Sequence, residues 1–165
     1  MRHIISILLQ NEAGALSRVA GLFSTRGYNI ESLNVAPTDD DLVSRLTLVT
    51  RGSEEVIRQI SAQLGKLVDV VNIVDMTSDD HIERELALFK LRLPPGTRDQ
   101  FQAMVADFGG RILDDQEGHF TVELTGGADK IDEFLRGVGE VASVLAVVRS
   151  GAMAVARGAP MLAPG

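Results

Sequence analysis

The chain lacks cysteine and tryptophan, and aromatic residues make up only 4% of its 165 residues. Without cysteine there can be no disulfide, thiolate nucleophile or cysteine zinc site, and the cytoplasm is the default compartment. Few rings leave little with which to stack bases. Positive charge is also scarce. Sixteen Lys and Arg against 23 Asp and Glu give a net charge of -7, which argues against nucleic acid as a partner. The apolar run Ile4–Leu9 is interrupted by Ser6 and followed by Gln10, Asn11 and Glu12. It is too short to span a membrane and has no small-residue cleavage site, so it reads as a strand.

What remains is an ordinary globular balance, 45% hydrophobic and 24% charged. That is enough for one domain or two small ones. After the strand comes the turn Asn11–Gly14, then Leu16, Val19, Ala20 and Phe23 at the spacing of one apolar helical face. Gly27 is placed to stop that helix in a left-handed conformation. Residues 29–36 and 43–50 read as strands joined by the acidic turn "PTDDD". Ser53 reads as the N-cap of a helix whose apolar face is Val56, Ile57, Ile60 and Leu64. Residues 68–74 give a fourth strand. The order is β-α-β-β-α-β, the split βαβ or ferredoxin-like unit.

The polar stretch "MTSDDHIERE" places a boundary near residues 77–81, after which the same order repeats. Residues 86–93 form a strand, and Thr97 caps a helix with Phe101, Met104, Val105 and Phe108 on one face. A hairpin turns around residues 116–119, a helix carries Ile131, Phe134, Leu135 and Val138, and residues 141–148 make the last strand. The fold class is therefore α+β, two tandem βαββαβ units with a patternless tail. Each four-stranded antiparallel sheet has helices on one face only, so its other face and its edges need cover. A homodimer follows as an expectation.

The inventory for catalysis is thin. His3, His81 and His119 have no metal-ligand spacing, and a surface role is expected for each. Ser6, Ser17 and Ser24 lack a G-x-S-x-G context. Asp114 and Asp115 are neighbours in a strand and point to opposite faces, so they make no carboxylate dyad. An RNA-binding module of the same topology needs rings on its central strands, where Leu33, Val35, Leu46 and Leu48 stand.

The stretch "NEAGALSRVAGLFSTRGYNIESL", residues 11–33, suits a zwitterion. A strand running through a Gly-containing turn into a helix presents free N–H groups to a carboxylate. Gly14 lets a ligand approach the backbone, and the amides of Asn11 and Asn29 can accept from an ammonium group. Leu9, Leu16 and Ile30 can wall an apolar side chain. The same residues are also common turn and cap residues, and on spacing alone that plainer reading is favoured.

The pattern Asn11, Gly14, Leu16, Ser17, Arg18, Val19, Leu22, Phe23, Arg26, Gly27, Tyr28, Asn29, Ile30, Ser32, Leu33 resembles the signature of the small regulatory subunits of acetolactate synthase. "VAPTDD" at 35–40, "SRLTL" at 44–48, "QLGKLVDV" at 63–70, "ERELALFK" at 83–90 and "ARG" at 156–158 extend the resemblance over nearly the whole chain. It implies an ACT domain over residues 1–76, a linker at 77–81, a second ferredoxin-like domain over 82–150 and a tail at 151–165. It further implies a homodimer that binds valine between ACT domains. Asn11, Ala13, Gly14, Ala15 and Leu16 would come from one protomer, and Asn29 and Ile30 from the other.

The second unit has no asparagine pair in "PPGTRDQF" and is expected to serve structure or subunit coupling. By the same resemblance the chain has no catalytic residue, metal or cofactor of its own. A large catalytic subunit would carry thiamine diphosphate, Mg2+ and FAD and convert two pyruvates to acetolactate and CO2 in branched-chain amino acid synthesis. This chain would activate it and confer valine inhibition. The alternative is a free-standing ACT-domain amino-acid sensor with another target.

Overall fold

A computed structural model of the chain describes residues 1–164. The elements of the first half are β1 (Arg2–Gln10), α1 (Ala15–Thr25), β2 (Ile30–Pro37), β3 (Val43–Arg51), α2 (Glu54–Leu64) and β4 (Val70–Asp75). Those of the second are β5 (His81–Arg92), α3 (Arg98–Asp107), β6 (Arg111–Gln116), β7 (His119–Gly126), α4 (Ala128–Val138) and β8 (Ser143–Arg149), and β9 (Met153–Ala156) follows. The fold is α+β with two βαββαβ arrangements, as the periodicities imply. The chain divides into one unit of Met1–Ile82 plus the residues from Gly151 onward, and a second of Glu83–Ser150.

In the first unit the sheet order is β2-β3-β1-β4, and every pairing is antiparallel. Alternation along β1 sends Ile5, Ile7 and Leu9 to the helical face, where Val19, Phe23, Ile57, Ile60 and Leu64 complete a core with Leu46 and Leu48. Ser53 caps α2 by accepting from Val56 N, with Glu54 and Glu55 in the first turn. Helix α1 stops as expected: Gly27 has φ 72°, and Tyr28 N reaches back to Phe23 O at 2.9 Å. One position departs from the expected face. Leu16 is 39% exposed, and Ala15 is buried in its place.

The opposite face of this sheet carries Ile4, Val49, Val74 and Met76. The chain returns after residue 150 to cover it with Ala152, Ala154 and Ala156. The tail expected at residues 151–165 therefore includes a strand, β9 at Met153–Ala156, ahead of the patternless stretch "RGAPMLAPG". β9 pairs with β5, and Arg157 N donates to Asp80 O at 3.0 Å. Arg45 fastens the segment to the sheet, donating from Nη2 to Ala154 O (2.8 Å) and from Nε to Ser6 Oγ (2.9 Å).

His3 also departs from its expected surface role. It lies in the interior at 2% exposure, paired with Thr50 of β3, its Nδ1 3.0 Å from Oδ2 of Asp75 at the end of β4. Burial opposes the Asp75 charge, but hydrogen bonds from Thr77 and His3 outweigh it and hold that carboxyl below its usual range.

The second unit has sheet order β6-β7-β5-β8. Its core joins Ala87, Phe89 and Leu91 of β5 to Phe101 and Val105 of α3, to Phe120, Val122 and Leu124 of β7, and to Ile131, Phe134 and Val138 of α4. Thr97 stands at the N-cap position of α3 but does not cap it, because its hydroxyl donates to Pro94 O at 2.7 Å. Strand β5 begins at His81, five residues before the expected start at Leu86.

Phe134 is fully buried, edge-on to Phe89 (centroids 4.9 Å apart) and to Phe108 (5.3 Å). Phe134→Ala should cost the second unit about 3–5 kcal/mol through lost burial and a residual cavity. Amide hydrogen exchange should show β5 and β7 losing protection while β1 and β3 keep theirs. Equal loss in both units would contradict independent cores.

Candidate functional site

The turn between β1 and α1 is held by its neighbours rather than by its own side chains. Asn11 N donates to Leu42 O (2.8 Å), Asn11 Nδ2 donates to Asp41 O (2.9 Å), and Gln10 N donates to Asp69 O (2.8 Å). The acidic β2–β3 turn and the segment before β4 thus fix where the chain enters α1. The Asn11 amide spends a donor on this, which leaves its Oδ1 to accept.

Gly14 occupies the N-cap position of α1 at φ 87°, a conformation costly for any residue with a Cβ. It offers no side chain to the helix, and the first turn contains no acidic residue. Ala15 N turns back to Glu12 O at 3.3 Å, and Arg18 N is the first to reach a helical carbonyl, Gly14 O, at 3.0 Å. The N–H groups of Leu16 and Ser17 take no acceptor among the described residues. A helix start with free donors and no acidic cap is an anion cradle by construction.

Space over Gly14 is limited. A Cβ there would lie 2.9 Å from Arg18 Nη1. Arg18 is itself held against buried Asp69, through Nε to Oδ2 and through Nη2 to Oδ1 at 3.1 Å. That hydrogen-bonded pairing raises the Arg18 pKa and holds the Asp69 carboxyl below its usual range. Fifty-one positions separate the two residues, and no local pattern in the sequence announces the pair.

The structure brings Asn11, Ala13, Gly14, Ala15 and Leu16 together at one end of the sheet. Asn11, Ala13 and Gly14 are exposed, Leu16 is partly so, and Ala15 anchors the turn from below. Asn29 and Ile30 are not part of this group. Ile30 pairs with Thr50, which stands opposite His3, whereas Gln10, next to the turn, pairs with Val43. Seven strand residues at ~3.3 Å each put these ends roughly 23 Å apart. Asn29 is exposed, and its carbonyl accepts from Thr50 Oγ1 at 2.7 Å. Within one chain the two asparagines cannot touch a single small ligand. Among the described residues there is no cluster of three or more metal-ligating side chains, and no helix is long and apolar enough to cross a membrane.

Comparison with known proteins gives a consistent result. Residues 5–72 match the family described as the AHAS small subunit-like ACT domain, and residues 84–158 match the small subunit of acetolactate synthase. The acetolactate synthase small subunit of Haemophilus influenzae is 47% identical over 158 residues, 96% of this chain and 97% of that one. The acetolactate synthase isozyme 3 small subunit of Escherichia coli is 48% identical over the same shares. Among solved structures, the acetolactate synthase small subunit from Thermotoga maritima superposes with a TM-score of 0.85 at 31% identity, over 97% of this chain and 99% of that one.

The Arg18–Asp69 pair that backs the turn makes stability depend on pH. With its folded pKa below the ordinary 3.8, the Asp69 carboxylate contributes fully above that value. The contribution fades as pH falls below the ordinary carboxylate range and through the lower folded value. Asp69→Asn should lower the urea midpoint at neutral pH and flatten its fall through that acid range. An unchanged acid slope would mean the pair is not formed in solution.

Proposed function

The chain belongs to the acetolactate synthase small-subunit family, and from that premise we propose that it is a non-catalytic regulatory subunit sensing valine. It binds a catalytic subunit that carries thiamine diphosphate, Mg2+ and FAD and that makes 2-acetolactate and CO2 from two pyruvates. It raises that subunit's activity and lowers it again when valine is bound. The observation that carries the proposal is the uncapped start of α1 behind Gly14, an electropositive cradle lined by exposed Asn11 and Leu16.

In this reading the valine carboxylate sits on the free N–H groups at the start of α1, and the apolar side chain lies against Leu16. The ammonium group needs acceptors, which Asn11 Oδ1 and Asn29 of the partner subunit supply. The sheet order supports such sharing. β2 is an edge strand with no fully buried residue, and it ends in the exposed run Val35–Pro37. Antiparallel pairing of two β2 edges about a two-fold axis reverses one strand against the other. The start of the partner's β2 then lies beside Pro37, whose pairing with Ser44 is next to that of Val43 with Gln10. A site incomplete in one chain is completed in the dimer.

Inhibition requires valine to bind the low-activity assembly more tightly than the active one. A ligand that bridges two protomers meets this requirement by favouring one dimer geometry over another. The second unit, without an equivalent asparagine pair, serves structure or coupling to the catalytic subunit.

Adding the chain to an acetolactate synthase catalytic subunit should raise activity, and valine should reverse the gain. No change with or without valine would redirect the sensor to another target. Gly14→Asp should abolish valine inhibition while keeping activation, because its carboxylate would repel the ligand's and compete for Arg18. Gly14→Ala separates strain from charge and should weaken inhibition less. Asn29→Ala should weaken valine binding in isothermal titration by about tenfold, the loss of one charge-assisted hydrogen bond. Full binding by that variant would place the ammonium elsewhere.

A further inference from the structure

Arg45 lies on the sheet face away from the helices, and its environment is unusual for a guanidinium. Its partners are Ser6 Oγ, Ala154 O and, at 3.9 Å, Met76 Sδ, all of them neutral. They engage Nε and Nη2, leaving Nη1 without an acceptor among the described residues. Arg18, Arg98 and Arg149 each meet a carboxylate instead. In a chain with 23 Asp and Glu, an arginine left without a carboxylate is not explained by their scarcity. Burial lowers the Arg45 pKa, but a guanidinium still remains charged at any physiological pH. Its charge is thus partly desolvated and uncompensated.

Beside it is a cavity of about 300 Å³ between this sheet face and the C-terminal segment. Its walls are mostly apolar, with Val74 and Met76 from the sheet side and Ala156, Met161 and Leu162 from the returning chain. The segment is tied at both ends of the cavity, by Arg45 to Ala154 O and by Asn72 Nδ2 to Ala163 O at 2.7 Å. Asp79, the one acidic residue of the lining, is exposed and makes no ion pair with Arg45. Unbranched methionines on two walls let the volume adapt to a chain of carbons.

We propose that this cavity binds a small aliphatic monocarboxylate, its carboxylate on Arg45 and its carbon chain between Met76 and the Met161–Leu162 segment. The site is separate from the turn at Gly14, since Arg45 pairs opposite Leu8 while the helices pack on the face of Ile7 and Leu9. An amino acid is disfavoured there, because its ammonium group would meet a guanidinium and methyl groups rather than acceptors. The occupant also bridges the sheet to the C-terminal segment, so it stabilises the return of the chain.

The test is isothermal titration of the full-length chain with hexanoate, hexanamide and hexylamine. Hexanoate should bind once per chain, and the neutral amide at least about tenfold more weakly, the value of one charge-assisted hydrogen bond. Hexylamine should give no binding heat. Met161→Trp, which fills the cavity from the C-terminal side, and Arg45→Gln should each abolish hexanoate binding, while Gly14→Asp should keep it. No heat with hexanoate at millimolar concentration, or equal binding of the amide, would overturn the proposal on the unaltered protein, whether or not Arg45→Gln folds. Hexanoate binding retained in Met161→Trp would overturn the location.

Discussion

The structure of the first unit depends on β1 being buried on both faces. One face has the helices for cover, and Ile5, Ile7 and Leu9 pack beneath them. The other face begins with Ile4 and needs a second cover, which the chain supplies with Ala152 and Ala154. A four-stranded antiparallel sheet with helices on one side normally leaves the other to solvent or to another molecule. Here the apolar character of both faces of one strand obliges residues more than a hundred positions away to come back.

The same strand positions the turn at Gly14. Because β1 is central, its C-terminal end is flanked by the β2–β3 turn on one side and by the segment before β4 on the other. Hydrogen bonds from Asn11 to Asp41 and Leu42, and from Gln10 to Asp69, come from those flanks. The start of α1 can then dispense with a side-chain cap. Its donors stay unpaired because the position of the turn has been secured by other means. The exposure of Leu16 belongs to the same logic, since an apolar residue left outside the core is available to an apolar ligand or a partner.

Much of this was legible in the sequence, because local physics governs it. Helical periodicity located all four long helices, Gly27 marked a helix stop, and Ser53 marked a cap. Other features were hidden for definable reasons. Strand β9 is built on alternating alanines, whose small side chains give almost no hydrophobic signal, and its pairing is entirely long-range. His3 looked superficial because a strand's first residues are often frayed, yet β1 pairs with β3 from Arg2 onward, and the partner carboxylate of His3, Asp75, stands opposite Ile5 on β4. Thr97 has the chemistry of a cap but found a nearer carbonyl. Asn11, Gly14 and Asn29 could be named from sequence, but their separation at opposite ends of the sheet required the strand register, and Arg18–Asp69 had no local signature at all.

The return of residues 151–156 has a consequence for how the protein is made. Everything between Ile82 and Gly151 is, topologically, an insertion in the first unit. A ribosome delivers that insertion complete before it delivers the strand that closes the outer face of the first sheet. The N-terminal unit, although translated first, cannot close its outer face over Ile4, Val49 and Met76 until the whole of the second unit has been synthesised. The covering strand is the last part of that unit to be made.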